Sequence, residues 1–186
     1  MLDTESLEPW ETCALCHGFD GNSAMAKFPK LAGQKPAYLR KQIKDFKAGL
    51  RANDGGQMVN MVSGLSSSDK DQIAAWFASQ SHPQPSPPEL YESLATEARK
   101  LFVKGSDTDD IPACISCHHS KDPLIPLLEG QHANYLRKQL NDFRDQIRTN
   151  DREVMQRIAR SLSEKQIDLL AEYIASLSRQ AVSFRE

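Results

Sequence analysis

The chain has 186 residues, of which 39% are hydrophobic, and its formal net charge is −2. This near balance of charge excludes the strong basic field by which many proteins bind nucleic acid. No apolar run reaches the about 18–20 residues that a membrane-spanning helix needs, so we predict no transmembrane segment in this chain. The length suits one ordinary domain or two small ones.

Two short segments contain all four cysteines. Residues 13–17 (CALCH) and 114–118 (CISCH) share the pattern C-x-x-C-H. This spacing is the attachment signature of a c-type haem, in which two thiols bond to one haem. The histidine that follows directly is then placed as a ligand of the iron. We therefore predict two covalently bound haem c groups. The predicted attachment and iron-ligand residues are Cys13, Cys16, Cys114, Cys117, His17 and His118.

Three other roles of a C-x-x-C pair explain the sequence less well. Zinc sites made of two such pairs usually space them about 15–20 residues apart, whereas Cys16 and Cys114 are much more widely separated. A redox dithiol normally lies in a thioredoxin-like βαβ unit, and no such strand pattern occurs in the sequence. Disulfides are possible in an exported protein, but they leave the histidine after each pair unexplained.

The remainder of the chain is an internal duplication. The segment YLRKQ at 38–42 recurs unchanged at 135–139, and the pattern R-x-N-D occurs at 51–54 and again at 148–151. From residue 28 onward, these matches share one spacing of 97 positions. Self-similarity at a fixed spacing indicates repeated structural units, here two domains of about 85–95 residues each.

A proline-rich segment separates the two copies. Residues 83–88 (PQPSPP) include four prolines, which cannot continue a helix and which favour an extended connector. We predict an N-terminal cytochrome-like domain over 1–82, a linker over 83–88 and a C-terminal domain over 89–186.

Apolar residues in both copies recur at helical spacing, so we predict an all-α fold. The first copy has one such apolar face, after Pro36, and the second copy repeats it; these faces consist of Leu39, Ile43, Phe46 and Leu50, and of Leu136, Leu140, Phe143 and Ile147. We expect both faces in the core. A further helix is predicted over residues 89–104, before the second motif.

The last helix of each copy begins with a capping signal. Ser66 is followed three residues later by Asp69, and Ser163 is followed three residues later by Gln166. A serine and an acidic or amide residue at this spacing can satisfy each other's backbone N–H groups at a helix start.

Each iron needs a second axial ligand, and methionine is typical of electron carriers because it raises the reduction potential. Met58 and Met155 occupy the same position in the repeat, seven residues before the Leu-Ser that opens the last helix. Met61 is an alternative to Met58, although its counterpart is Ile158, which cannot bind iron. We predict Met58 and Met155 as ligands. The remaining histidines, expected at the surface, are His82, His119 and His132.

Taken together, the two C-x-x-C-H motifs, the P-x-L-x-G-Q segments, the R-x-N-D turns and the methionines resemble the di-haem cytochrome c4 family. The resemblance covers nearly the whole chain. It implies two class I cytochrome c domains related by a pseudo-twofold axis, with haem propionates close together at the interface. It also implies that the carbonyls of Pro29 and Pro126 accept hydrogen bonds from the histidine ligands, which would fix the imidazole rings.

The same resemblance implies a periplasmic electron carrier rather than an enzyme. Its expected donor is a quinol-oxidising complex or a dehydrogenase, and its expected acceptor is a terminal oxidase such as the cbb3 type. No export signal is visible at the start of the sequence, so we expect a mature form. Two alternatives stay open: the electron-accepting cytochrome subunit of a sulfide- or alcohol-oxidising dehydrogenase, and a haem enzyme with one open iron position.

Overall fold

The computed structural model describes residues 7–82 and 92–178, and these residues fold into helices. The helices are α1 Pro9–His17, α2 Pro36–Lys47, α3 Gln57–Val62, α4 Ser67–Ser79, α5 Glu92–Lys104, α6 Cys114–His118, α7 Ala133–Arg144, α8 Val154–Ser161 and α9 Glu164–Ser176. Within those ranges the only β pairing is an isolated bridge between Ser106 and Ile111. The all-α prediction is confirmed. The predicted linker lies outside the described residues.

The helices form two sets that follow the sequence repeat, in which α2, α3 and α4 correspond to α7, α8 and α9. Pro36 opens α2, where its missing N–H is not needed. Both predicted capping boxes are present: Ser66 accepts a bond from the Asp69 N–H at 3.1 Å, and Ser163 accepts one from the Gln166 N–H at 3.2 Å. Local sequence signals therefore determine where the last helix of each set starts.

The two sets differ before their C-x-x-C-H motifs. In the first, the motif forms the end of the single helix α1, whereas in the second a loop separates α5 from the short helix α6. Gly105 begins this loop in a left-handed conformation with φ of +74°, and a Cβ there would collide with the Ile111 carbonyl. The helix predicted over 89–104 is described from Glu92 onward, and its first residues lie outside the described part of the chain.

Each set of helices has its own hydrophobic core. The buried residues of the first core include Leu39, Ile43, Phe46, Val62, Ile73 and Phe77. Those of the second include Leu101, Phe102, Leu136, Ile167, Leu170 and Ile174. Helix-to-helix packing in the described ranges joins only members of the same set. Burying one such side chain contributes about 1.5–3 kcal/mol, so each half has a substantial core without the other.

Two residues of the predicted apolar faces are not in these cores. Ile147 is 59% exposed, so the prediction that it extends the buried face is wrong, whereas Leu50 lies in the wall of a large cavity between the helices. The physical reason is that α2 and α7 end before them. Gly49 and Gln146 then adopt left-handed conformations, with φ of +70° and +60°, which terminate the helical rows of side chains.

The two halves contact each other through polar groups arranged with pseudo-twofold symmetry. The Gln34 amide bonds to both the N–H and the carbonyl of Leu127, each at 2.9 Å. Gln131, its counterpart, bonds to the N–H and carbonyl of Lys30, also at 2.9 Å. Reciprocal contacts of this kind are characteristic of an isologous interface, here within one chain. No helix in the described ranges is long and apolar enough to span a membrane.

Candidate haem-binding sites

A cavity of about 1460 Å³ extends through both halves and across their interface. This exceeds the about 300–1,000 Å³ of an ordinary ligand pocket, so it has room for more than one large cofactor. Apolar residues of both cores form much of its wall. All residues predicted to bind or support the haem groups line it: Cys13, Cys16, His17, Pro29, Met58, Cys114, Cys117, His118, Pro126 and Met155.

The histidine of each motif is buried at the end of its helix and is oriented by a prolyl carbonyl. His17 Nδ1 donates to the Pro29 carbonyl at 2.8 Å, and His118 Nδ1 donates to the Pro126 carbonyl at the same distance. With the proton on Nδ1, Nε2 keeps its lone pair, which is the form that binds a metal. Burial lowers the pKa of both imidazoles, which keeps them neutral.

None of the four cysteines forms a disulfide, so all four are available to bond to haem. Burial raises the pKa of Cys13, and it raises the pKa of Cys114 to about 11, so both thiols stay protonated at neutral pH. Thiols with a raised pKa are poor nucleophiles, which argues against a redox dithiol. Within residues 7–82 and 92–178, no three metal-ligating His, Cys, Asp or Glu side chains gather. A zinc site made of the two cysteine pairs is therefore unsupported.

Both predicted methionine ligands are anchored by the aspartate of the R-x-N-D turn. The Asp54 carboxylate accepts a hydrogen bond from the backbone N–H of Met58 at 2.5 Å. Asp151 accepts the equivalent bond from the Met155 N–H. Each aspartate thus caps the start of its helix, α3 or α8, and fixes where the methionine enters the cavity. The fourth residue of the turn has a definite task that the sequence pattern alone did not reveal.

Met61 lies in the same cavity wall as Met58, but its environment differs. Met58 packs against the first core, and the Asp54 carboxylate holds its backbone N–H. In the second half, Ile158 lines the cavity at the position equivalent to Met61. The packing is therefore more favourable to a fixed sulfur position at Met58.

The arginine and asparagine of the R-x-N-D turns have a function that we did not predict. Arg51 and Arg148 are each only 6% exposed and lie where the halves meet. Arg51 donates to Gln42 in its own half at 2.7 Å and to Gln139 in the other half at 3.0 Å. Arg148 donates to the same two glutamines, at 3.2 and 2.9 Å. The sequence does contain a signal for this function, because a turn alone does not require the same arginine and asparagine in both copies.

These two arginines bring buried guanidinium groups to the polar end of the cavity. The buried carboxylates of Asp45 and Asp142 are each bound by a lysine of their own half, Lys41 or Lys138. In the described ranges, neither Arg51 nor Arg148 forms an ion pair with a carboxylate. A buried charge is costly unless it is paired. An apolar cavity with buried guanidinium groups at one end fits a haem, which is apolar except for its propionates.

A second pair of cross-interface contacts involves one of the histidines expected at the surface. His132 is half-buried, and its Nε2 contacts the carbonyl of Ser23 at 2.9 Å. Lys35, its counterpart, donates to the carbonyls of Ser120 and Asp122 at 2.9 and 2.8 Å. Each side chain thus holds the loop that follows the C-x-x-C-H motif of the other half. The surface expectation is wrong for His132 because the domain interface covers it.

Fold and site together define a c-type cytochrome with two tandem domains. The sequence model of the Cytochrome c family matches residues 9–81 and again 95–178. Cytochrome c4 of Azotobacter vinelandii is 40% identical over 179 residues, which cover 89% of this chain and 84% of that protein. The chain belongs to the di-haem cytochrome c4 family: it binds two haem c groups covalently and transfers electrons.

Other comparisons find the same fold, both in a further cytochrome c4 and in proteins named for thiosulfate dehydrogenase. The crystal structure of reduced cytochrome c4 from Pseudomonas stutzeri superposes with a TM-score of 0.77, at 40% identity over 90% of this chain and 94% of that one. A thiosulfate dehydrogenase electron acceptor of Stutzerimonas stutzeri is 36% identical, over 90% of this chain and 80% of its own length. Thiosulfate dehydrogenase from Marichromatium purpuratum superposes with a TM-score of 0.79 at 30% identity, over 92% of this chain and 37% of that one.

Proposed function

We propose that the chain is a periplasmic carrier of single electrons, which takes them from a quinol-oxidising complex or a dehydrogenase and delivers them to a terminal oxidase such as the cbb3 type. The main support is that both halves bring residues of the same types to the cavity from the same repeat positions: two cysteines, one histidine and the methionine pair Met58 and Met155. An enzyme would need an open iron position in at least one half. Two sites of one type suit electron transfer instead.

In this proposal each half holds one haem with its own residues. Cys13 and Cys16 attach the first haem, and His17 and Met58 are its iron ligands. The corresponding residues of the second site are Cys114, Cys117, His118 and Met155. When bound, each haem supplies a one-electron couple between ferric and ferrous iron.

The surroundings of the ligands favour fast transfer because they hold both axial ligands in one position. The prolyl carbonyls fix the imidazole rings at 2.8 Å, and Asp54 and Asp151 hold the methionine backbones. When the iron changes oxidation state, ligands held in one position move little, so the reorganisation energy of electron transfer is small. Mutation of groups that hold metal ligands in this way commonly costs about 10–100-fold in metal affinity or activity.

We infer that Arg51 and Arg148 are the counter-charges of the haem propionates. Both guanidinium groups line the cavity at the domain interface and carry charge that no carboxylate in the described ranges pairs. A propionate carries the complementary negative charge, and a hydrogen bond between a guanidinium and a carboxylate is strengthened by the two charges. The propionate edges of the two haems would then face each other, which gives electrons a short route between the domains.

The proposed domain boundaries, 1–82, 83–88 and 89–186, follow the same scheme. Each half has its own core, which supports two structural domains with a connector between them. Limited proteolysis of the holoprotein, followed by mass spectrometry, tests this. We expect first cuts within 83–88 and two haem-bearing fragments; first cuts inside either helix set would contradict the boundaries.

The experiment that tests the carrier function is a redox titration of purified holoprotein with absorption spectra. We expect two haems, two one-electron steps and a sulfur-to-iron charge-transfer band for both. The double variants C13A/C16A and C114A/C117A should each lose one haem. Purified protein that carries a single haem contradicts the proposal. Ready binding of carbon monoxide to one reduced haem would instead favour a haem enzyme.

A second candidate is the electron acceptor of a dehydrogenase complex. It is favoured by relatives that are named thiosulfate dehydrogenase electron acceptor and by the superposition on a thiosulfate dehydrogenase. Co-purification from the native source separates a resident subunit of such a complex from a mobile carrier. A stable complex with a thiosulfate dehydrogenase would favour the second candidate, and recovery of the cytochrome alone would favour the carrier.

A further inference from the structure

The two halves differ beside their buried histidines. In the second half, Glu129 is only 6% exposed, and the equivalent position of the first half is Ala32, which is fully buried. Likewise His119, which follows His118 directly, is replaced by Gly18 in the first half. The bonds from His17 and His118 to prolyl carbonyls are the same length. A buried carboxylate is therefore one specific difference between two sites whose histidines are oriented in the same way.

Glu129 is held by two groups. One carboxylate oxygen pairs with Nε2 of His119, and the other accepts the backbone N–H of Leu128 at 3.2 Å. It belongs to the same loop as Pro126, whose carbonyl receives the bond from His118. The carboxylate thus joins the residue after the iron ligand to the loop that orients that ligand.

The position of Glu129 places its charge close to the His118 ring. Its partner His119 directly follows His118 in the chain, and Pro126, three residues before Glu129, accepts the bond from the His118 ring. A negative charge beside this ring favours the more positive oxidation state of an iron bound to it.

We propose that Glu129 lowers the reduction potential of the haem in the second domain and so contributes to the difference between the two haems. This rests on the proposed function, in which His118 binds the iron. The ferric state carries one more positive charge than the ferrous state, so a nearby anion stabilises it more. Because the carboxylate is buried, water and salt screen it less than a surface charge. The first domain has no acidic residue at this position.

A cation of the first half offsets part of this effect. The Lys35 ammonium group is bound to the carbonyls of Ser120 and Asp122, so it lies near the same loop and opposes the carboxylate. Replacing Lys35 by Gln should therefore move the potential of the second haem in the opposite direction from replacing Glu129.

The test uses the full two-haem protein with E129Q, which removes the charge and keeps the shape, and E129A, which copies the first half. We expect the second haem to become easier to reduce in both. The electron-exchange equilibrium between the haems should shift about tenfold, which corresponds to about 59 mV for a one-electron couple. The methyl NMR signals of each methionine ligand, followed through the titration, assign the change to one haem. The reduction potential of the first haem should not change.

The matched control is E172Q, which removes the same charge from the surface of the same half, where Glu172 is 47% exposed. It should leave both potentials unchanged. The proposal is overturned if both Glu129 variants keep the wild-type reduction potentials, or if they change the potentials of both haems equally. It is also overturned if they change the potential of the second haem no more than E172Q does. A wild-type protein with one haem, or without methionine ligation, would overturn the proposed function instead. Two haems with unaltered potentials in the variants would overturn only the role of Glu129.

Discussion

The Arg51 guanidinium donates a hydrogen bond of 3.0 Å to the hydroxyl of Tyr135, in the other half of the molecule. The reverse bond joins Arg148 to Tyr38 at 3.3 Å. Each half therefore supplies a buried cation to its partner and receives one in return. This exchange makes the interface part of both haem sites, because the same arginines line the cavity.

Replacing Arg51 by Gln should destabilise the protein markedly. The variant loses bonds to Tyr135 and Gln139 and leaves buried acceptors unsatisfied, which costs about 1–3 kcal/mol per group. Denaturant unfolding of the holoprotein, followed by circular dichroism, measures the free energy of unfolding. R137Q is the control, since Arg137 forms surface ion pairs that contribute about 0–1 kcal/mol. Equal losses in the two variants would refute a special role for the buried arginine.

The paired glutamines allow a direct test of the pseudo-twofold symmetry. Q34A and Q131A each remove two bonds to the backbone of the opposite half, so we expect both to lower the free energy of unfolding by about 1–3 kcal/mol. The two losses of unfolding free energy should be equal because the bonds of Gln34 and Gln131 are equivalent. Q72A, on the exposed surface of α4, should have almost no effect. A large loss in only one twin would show that the two halves of the interface are not equivalent.

The sequence predicted the structure correctly where the role of a residue depends only on its neighbours in the chain. The capping pair Ser66 and Asp69 placed the start of α4, and the C-x-x-C-H spacing identified the cofactor class, because both depend on neighbours in the chain. Arg51 and Glu129 were beyond reach for the opposite reason. Their partners lie in distant parts of the chain or depend on which side chains the fold buries. Ile147 was misassigned since periodicity does not reveal where a left-handed residue, here Gln146, ends a helix.

The choice between Met58 and Met61 as iron ligand is testable by single substitutions. In M58A we expect half of the sulfur-to-iron charge-transfer absorption to disappear, because the Asp54 bond and the core packing hold Met58 in place. M61A should keep the full band, since the position of Met61 in the repeat is occupied by Ile158, which cannot bind iron. M155A should remove the other half. If M61A loses the band and M58A keeps it, the ligand of the first haem is Met61.

Stability should depend on pH through His132. Burial, followed by the charge of Lys30, lowers the pKa of this imidazole from its ordinary value of 6.5. A base with a lowered pKa in the folded state binds fewer protons than in the unfolded chain, so stability rises with pH in this range. The contribution of His132 is present above pH 6.5 and is lost as the pH falls through the folded-state pKa below it.

Unfolding of wild type and H132Q from pH 8 to pH 5 measures this contribution. Glutamine can still donate to the Ser23 carbonyl but does not titrate, so the wild type should lose more stability than the variant on acidification. His17 and His118 are common to both proteins, and their contributions cancel in the difference. Parallel curves would mean that protonation of His132 does not affect the interface. A steeper fall in H132Q would contradict the sign derived from its burial.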